Sequence, residues 1–163
     1  MDPYLAIASK RDERAYADTP IPDEVRQRIL DSGRLSGSSK NRQRWEFVVV
    51  SGGAKDRLAE TVYAPENVAS AALVVAIVGE AGAFDTGRCS QNMMLGAWGA
   101  GVASCPNGIR DADAAAEICG DEVRAILSFG YPARPRDPAS RSAEEWSGRA
   151  NRKPLDELVR EVG

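Results

Sequence analysis

Four basic residues are clustered in a stretch that contains no acidic residue: Arg34, Lys40, Arg42 and Arg44. Serine, glycine and asparagine lie between them and offer hydroxyls, backbone N–H groups and an amide to a polar ligand. Fixed cations beside such donors favour an anion such as a phosphate. A solvated surface loop explains the same residues equally well, because charged loops are common.

A second basic group lies near the N-terminus, at Lys10, Arg11 and Arg14. Lysine and arginine direct several donors at an anion, so these side chains are candidates for holding a phosphate. The same residues are also typical of a helix end, where cations complement the last carbonyl groups.

The chain has no histidine and three cysteines, Cys89, Cys105 and Cys119, with no Cys-x-x-Cys pair. The missing histidine excludes Ser-His and Cys-His dyads and most catalytic zinc sites. We therefore expect reduced thiols and no metal centre. If the protein is an enzyme, we expect a bound cofactor to supply the difficult chemistry.

Composition bounds the class of protein. A chain of 163 residues with 43% hydrophobic content is long enough and apolar enough for one domain with a core. Its net charge of -3 argues against a protein built mainly to bind nucleic acid. No apolar run approaches the roughly 18 residues that span a bilayer, and the N-terminus does not resemble a signal peptide. We expect a cytoplasmic protein with neither a membrane nor a nucleic-acid partner.

Hydrophobic patterning predicts the elements that position these side chains. Buried strands are expected at Phe47–Val50, Ala71–Gly79 and Ala125–Tyr131, and a further strand is expected to end in a turn at Pro106-Asn107-Gly108. Helices are expected from Asp23 to a stop at Gly33, over residues 54–63, over Asp85–Gly101 and over Ala112–Cys119.

Two segments favour contacts beyond the local core. Cys89, Met93, Ala97 and Gly101 recur every four residues along the expected helix, which predicts either deep core or a subunit interface; we favour the interface. Residues 133–153 are rich in arginine, proline and serine, but Pro154–Val162 has the pattern of a short amphipathic helix. An apolar face at the end of a tail needs a docking surface. We therefore predict an ordered arm over 133–163 rather than a flexible basic tail.

Five segments, in order, resemble motifs of the FMN-dependent nitroreductase family. The segment Ser38-Ser39-Lys40-Asn41-Arg42-Gln43-Arg44-Trp45-Glu46-Phe47 is similar to the family's Ser-Ser-x-Asn-x-Gln-Pro-Trp-x-Phe. The others are Lys10–Tyr16, Asp85–Leu95, Leu127–Pro132 and Arg152–Glu157. In addition, Pro106-Asn107-Gly108 lies where the family's chain passes the reactive edge of the flavin.

The resemblance implies an α+β fold with a mixed, mostly antiparallel sheet flanked by helices, in an intertwined homodimer of single-domain chains (1–163). It also implies FMN as cofactor and NAD(P)H as co-substrate. Hydride would pass through flavin N5 to a nitroaromatic, quinone or similar small-molecule acceptor, with no catalytic side chain. Ser38 and Ser39 would reach the flavin from the partner subunit. The cofactor-binding residues it implies are Lys10, Arg11, Asp12, Arg14, Ser38, Ser39, Asn41, Pro106, Asn107, Gly108, Arg149 and Arg152.

Three departures from the family pattern keep alternatives open. Asp12 replaces a serine, Arg44 replaces a proline, and the connection between Gly79 and Asp85 is too short for the helices that cover the substrate in many members. Asp12 is also found in the superfamily's oxygen-dependent branch, which degrades flavin, so that activity is one alternative. A non-catalytic flavin or nucleotide binder is another. An RNA-binding module is disfavoured, because no exposed aromatic platform accompanies the basic residues.

Overall fold

Four strands form one sheet in the computed structural model, which describes residues 1–162. They are β1 (Glu46–Val50), β2 (Leu73–Val78), β3 (Ala103–Asn107) and β4 (Val123–Gly130). Their order is β1-β2-β4-β3, and all three pairings are antiparallel. The mixed sheet that was expected would also contain parallel pairing. The described parallel pairing is an isolated bridge between Asp12 and Ser104, outside the four strands. The sheet belongs to the larger of two compact units, Arg11–Arg136.

Helices cover both faces of this sheet. They are α2 (Asp23–Arg34), α3 (Gly52–Ala59), α4 (Pro65–Ala69), α5 (Ala83–Trp98) and α6 (Ala112–Cys119). The smaller unit contains α1 (Pro3–Ser9) and α7 (Ala143–Arg149). Every residue of β2 is buried, as its continuous apolar run predicts for a strand covered on both sides. Val75 and Ile77 pack with α2 and α5, whereas Val74 and Ala76 pack with α3, α4 and α6.

The apolar stripe of α5 lies in the core of its own chain. Cys89, Met93 and Ala97 are fully buried against the residues of α2, β2 and β4 that form the same core cluster. The physical reason is that the sheet already offers the helix a large apolar face to bury. These three positions of the stripe therefore belong to the core, and a subunit interface on the remaining surface of this helix stays a prediction.

Two turn signals read from the sequence were wrong. Gly33 does not end α2 but lies inside its last turn, where a side chain would collide with Met93. Pro106 and Asn107 lie within β3, paired with Leu127 and Ile126. Proline is tolerated there because β3 is an edge strand of the sheet and Pro106 is exposed. The helix expected over residues 54–63 begins earlier and ends at Ala59.

The smaller unit comprises Met1–Lys10 and the described residues from Asp137 onward. Helix α7 was not expected, but Ser142 and Glu145 form a capping box at its start. Trp146 is buried and donates its indole N–H to the Pro138 carbonyl at 2.9 Å.

The helix predicted over Pro154–Val162 does not form. Only a 3-10 turn at Leu155–Glu157 is present, and the apolar side chains of Leu155, Leu158 and Val162 are exposed. So short a helix is marginal in water unless tertiary packing stabilises it.

None of the helices within residues 1–162 has the length and apolar content needed to cross a bilayer.

Candidate functional site

The first candidate segment, Arg11–Arg14, runs beside the edge strand β3. Asp12 bridges Ser104, and the Glu13 N–H donates to the Ser104 carbonyl at 3.1 Å. The carboxylate of Glu13 also pairs with Arg136 at 3.1 Å. The backbone is therefore fixed while the side chain of Arg14 remains exposed.

Arg14 lies against β3 rather than projecting freely into water. Its guanidinium interacts with the side chain of Cys105, and this contact raises the pKa of Arg14 above its ordinary value. A permanently charged, exposed guanidinium at the sheet edge can bind an anion.

A buried polar network joins Tyr16 to residues of β3 and β4. The Tyr16 hydroxyl is 3.0 Å from the hydroxyl of Ser128, which also lies 3.2 Å from the amide nitrogen of Asn107. That amide nitrogen also donates to the carbonyls of Cys105 and Ile126, at 3.2 and 3.3 Å. Burial raises the pKa of the Tyr16 phenol, so the network stays neutral. The side chain of Asn107 is thus anchored inward.

Two polar atoms in this region are buried without a hydrogen-bond partner in the described chain: the Ser104 hydroxyl oxygen and the Asn107 side-chain carbonyl oxygen. Buried polar atoms in native proteins are nearly always paired, so such atoms point to a missing solvent or ligand contact. Beyond them, Gly108 is exposed at the end of β3.

The second candidate segment, the Ser38–Arg44 loop, leads into β1. Lys40, Asn41 and Gln43 have φ values of 53, 53 and 50°, a conformation that non-glycine residues rarely adopt. The hydroxyl of Ser38 accepts the Gln43 N–H at 2.9 Å. The Ser39 N–H donates to the Asp85 carboxylate at 3.1 Å, which anchors the loop to α5. The side chains of Ser39, Lys40 and Asn41 are exposed.

These two segments lie at opposite edges of the sheet in one chain. Arg11–Arg14 accompanies β3, whereas Ser38–Arg44 enters β1, and β2 and β4 lie between those strands. Three inter-strand spacings amount to about 14 Å. The structure therefore brings Asp12 and Arg14 together with Ser104 and Cys105, but it places the serine loop at the opposite edge of the sheet.

Comparison with known proteins identifies the architecture. The sequence profile described as the Nitroreductase family matches residues 7–82. Nitroreductase NfnB of Mycolicibacterium smegmatis is 37% identical over 65 residues, which cover 38% of this chain and 28% of that relative. This chain has the nitroreductase fold and carries the family's sequence pattern over residues 7–82.

Solved structures with the nitroreductase fold match almost the whole chain. A putative nitroreductase from Desulfovibrio desulfuricans, crystallised with FMN, has a TM-score of 0.80 and 24% identity, covering 100% of this chain and 98% of that one. The NADPH:FMN oxidoreductase of Vibrio harveyi, crystallised with NAD+, has a TM-score of 0.81 and 23% identity, covering 97% of this chain and 76% of that one. At these identities the likeness establishes the fold.

The remaining candidates belong to the smaller unit. Lys10 caps α1 through its backbone N–H, which donates to the Ala6 carbonyl at 3.0 Å. Arg149 is exposed in the last turn of α7, and Arg152 is exposed three residues later. Their assignment to a phosphate site stays a prediction.

Sequence reasoning missed three residues that shape the site of this nitroreductase fold. Tyr16 and Ser128 form the buried network, and Asp85 holds the serine loop. Ser128 was a signal, because it lies in the buried stretch 126–130 of β4 and a buried hydroxyl requires partners. Asp85 gave no such signal, since acids are common in a first helical turn.

Proposed function

We propose that this chain is an FMN-dependent oxidoreductase that oxidises NAD(P)H and reduces a nitroaromatic, quinone or similar acceptor. The observation that carries the proposal is the placement of the cationic Arg14 beside the edge strand that ends at exposed Gly108. It occurs in a fold of which one relative was crystallised with FMN and another with NAD+. With a quinone acceptor, the overall reaction is NAD(P)H + H+ + quinone giving NAD(P)+ + hydroquinone.

The residues present fit a flavin mononucleotide. Arg14, with Arg11, would neutralise the phosphate, and the buried hydroxyl oxygen of Ser104, which has no partner in the described chain, would accept a hydrogen bond from a bound water. Bound FMN would supply the ring that takes up and releases two electrons. Because the side chain of Asn107 is engaged inward, we expect residues 106–108 to contribute through their backbone.

We further propose that the working site is built from two copies of the chain. Ser39 and Asn41 lie at the sheet edge opposite Arg14, so a second copy is the natural source of the loop that completes the site. The exposed side chains of Leu158 and Val159 offer apolar surface that dimerisation would bury.

The test is a visible absorption spectrum of the purified protein with added FMN, followed by NADH and NADPH oxidation with a naphthoquinone. We expect FMN binding, turnover and sedimentation as a dimer. Arg14→Gln should raise the Kd for FMN about tenfold, because it removes a charge-assisted contact. Arg57→Gln, an exposed arginine on α3, is the matched control and should not change it.

Three other outcomes would replace this proposal. FMN binding without NAD(P)H oxidation would favour a non-catalytic binder. Loss of the isoalloxazine itself during aerobic incubation of reduced FMN would favour the oxygen-dependent branch. No FMN binding would exclude flavin chemistry for this chain.

A further inference from the structure

Tyr63 is an exposed aromatic residue held beside the end of β3. Its side chain is 73% exposed, whereas the preceding Val62 is fully buried. Val62 forms an antiparallel bridge with Ile109, and the Tyr63 N–H donates to the Gly108 carbonyl at 3.0 Å. Alternation along the extended backbone therefore directs Tyr63 outward at this point.

The backbone that carries Tyr63 is fixed on both sides of that bridge. The Thr61 carbonyl accepts the N–H groups of Arg110 and Asp111, at 2.7 and 3.0 Å. The Arg110 guanidinium donates to the Glu60 carbonyl at 2.6 Å. Tyr63 is thus an exposed side chain on a constrained backbone, which is the arrangement expected of a binding residue.

The ring of Tyr63 lies against Gly108. A methyl group placed on Gly108 would come within 3.1 Å of Cδ2 and 3.7 Å of Cε2 of that ring. Gly108 is the candidate for the approach to the reactive edge of the flavin. The ring therefore borders the surface on which an acceptor would be seated.

The connection between β2 and α5 is short. β2 ends at Val78 and α5 begins at Ala83, so residues 79–82 form the whole link. A short link provides few side chains to hold a substrate, and an exposed aromatic ring provides a flat apolar face that favours stacking.

We propose that Tyr63 is a specificity-determining residue that holds planar aromatic acceptors beside Gly108. This inference rests on the proposed function. It predicts that this residue favours planar aromatic acceptors over compact inorganic or aliphatic oxidants.

The test compares two acceptors on the FMN-loaded protein, menadione as the planar probe and ferricyanide as the non-planar probe. Tyr63→Leu removes the ring, and Tyr63→Phe is the matched control that keeps it. A stacking contact is worth about 0.5–1.5 kcal/mol, which corresponds to about a 2- to 13-fold change in the dissociation constant of the acceptor. We expect Tyr63→Leu to raise the KM for menadione within that range, with kcat for either probe nearly unchanged. Tyr63→Phe should stay within about twofold of the parent chain.

The inference is overturned if Tyr63→Leu leaves the KM for menadione unchanged. It is also overturned if both acceptors lose activity together with FMN release, or if the sedimentation coefficient falls, since those results assign Tyr63 a structural or interface role. A parent chain that binds FMN and reduces menadione with NAD(P)H retains the proposed function in each of these cases, so the two failures are distinguishable. A parent chain that binds no FMN overturns both.

Discussion

The backbone N–H of Ser39 and the carboxylate of Asp85 are joined across 46 positions of sequence by a 3.1 Å hydrogen bond. This bond fastens the Ser38–Arg44 loop to the first turn of α5. The loop needs such an anchor because Lys40, Asn41 and Gln43 are held in left-handed conformations that an isolated chain rarely populates.

We predict that Asp85→Ala releases this loop. One hydrogen bond to a charged group of this exposure is worth about 1 kcal/mol, or about a fivefold change in the equilibrium constant for loop opening. Hydrogen exchange of the Ser39 amide should accelerate by about that factor, and the Kd for FMN should rise similarly. Asp31→Asn, which removes an exposed ion pair with Arg34, is the control. An unchanged Ser39 exchange rate in Asp85→Ala would show that the loop holds its shape without this bond.

Gly33→Ala should destabilise the larger unit. The new methyl group would overlap the end of Met93 and lie 3.0 Å from the ring of Phe47. Overpacking of this kind costs about 1–3 kcal/mol, which chemical denaturation measures. Gly53→Ala is the matched control in α3, because its methyl group would meet only the Arg57 guanidinium at 3.8 Å. Equal stability of the two variants would mean that Met93 relaxes freely.

The sequence predicted the elements whose burial is dictated by neighbouring residues. The apolar run of β2 and the helix ending at Gly120, which has a φ of 83°, were both confirmed. The errors arose where tertiary contacts override local signals. Pro106 and Asn107 are turn formers by composition, but pairing with β4 extends the strand through them. At Pro154–Val162 the periodic pattern alone did not produce a helix.

The candidate site was only partly predictable for a related reason. Residue types marked Arg14 and Ser39 as candidate ligand donors, because charge and hydroxyl content are local properties. No local pattern reveals that they lie at opposite sheet edges, since that follows from the order β1-β2-β4-β3. Tyr63 was likewise invisible, because its exposure depends on the bridge between Val62 and Ile109.

Stability should fall above pH 9 because of Cys89. Burial raises the pKa of this thiol from 9.0 to about 12. Between those values the folded chain keeps a proton that the unfolded chain has lost. The contribution is therefore intact below pH 9 and is lost as pH rises towards 12, at up to about 1.4 kcal/mol per pH unit.

Urea denaturation from pH 8 to pH 10 with reductant measures this slope. Cys89→Ala should flatten it, whereas Cys119→Ala should change it less, because the Cys119 thiol is only half-buried. A slope that survives in Cys89→Ala would assign the alkaline loss to another group.

The buried network should behave as one energetic unit. Ser128→Ala removes a hydroxyl that lies 3.0 Å from the Tyr16 hydroxyl, 3.2 Å from the Asn107 amide and 3.2 Å from the Cys105 carbonyl. It leaves buried donors without this partner, so we expect a loss of about 1–3 kcal/mol. Tyr16→Phe removes only the outer member and should cost about 1 kcal/mol.

A double-mutant cycle separates coupling from simple loss of contacts. Once Ser128 is alanine, the Tyr16 hydroxyl retains only the longer 3.3 Å contact to the Ser128 carbonyl. Its removal then costs less, and the double variant should be more stable than the sum of the single losses predicts, by at least about 0.5 kcal/mol. Additivity would mean that the Tyr16 hydroxyl acts independently of the Ser128 hydroxyl. Coupling would instead mean that the Tyr16 hydroxyl helps to set the position of Asn107. Through Asn107 it would also help to set the position of the strand end at Gly108.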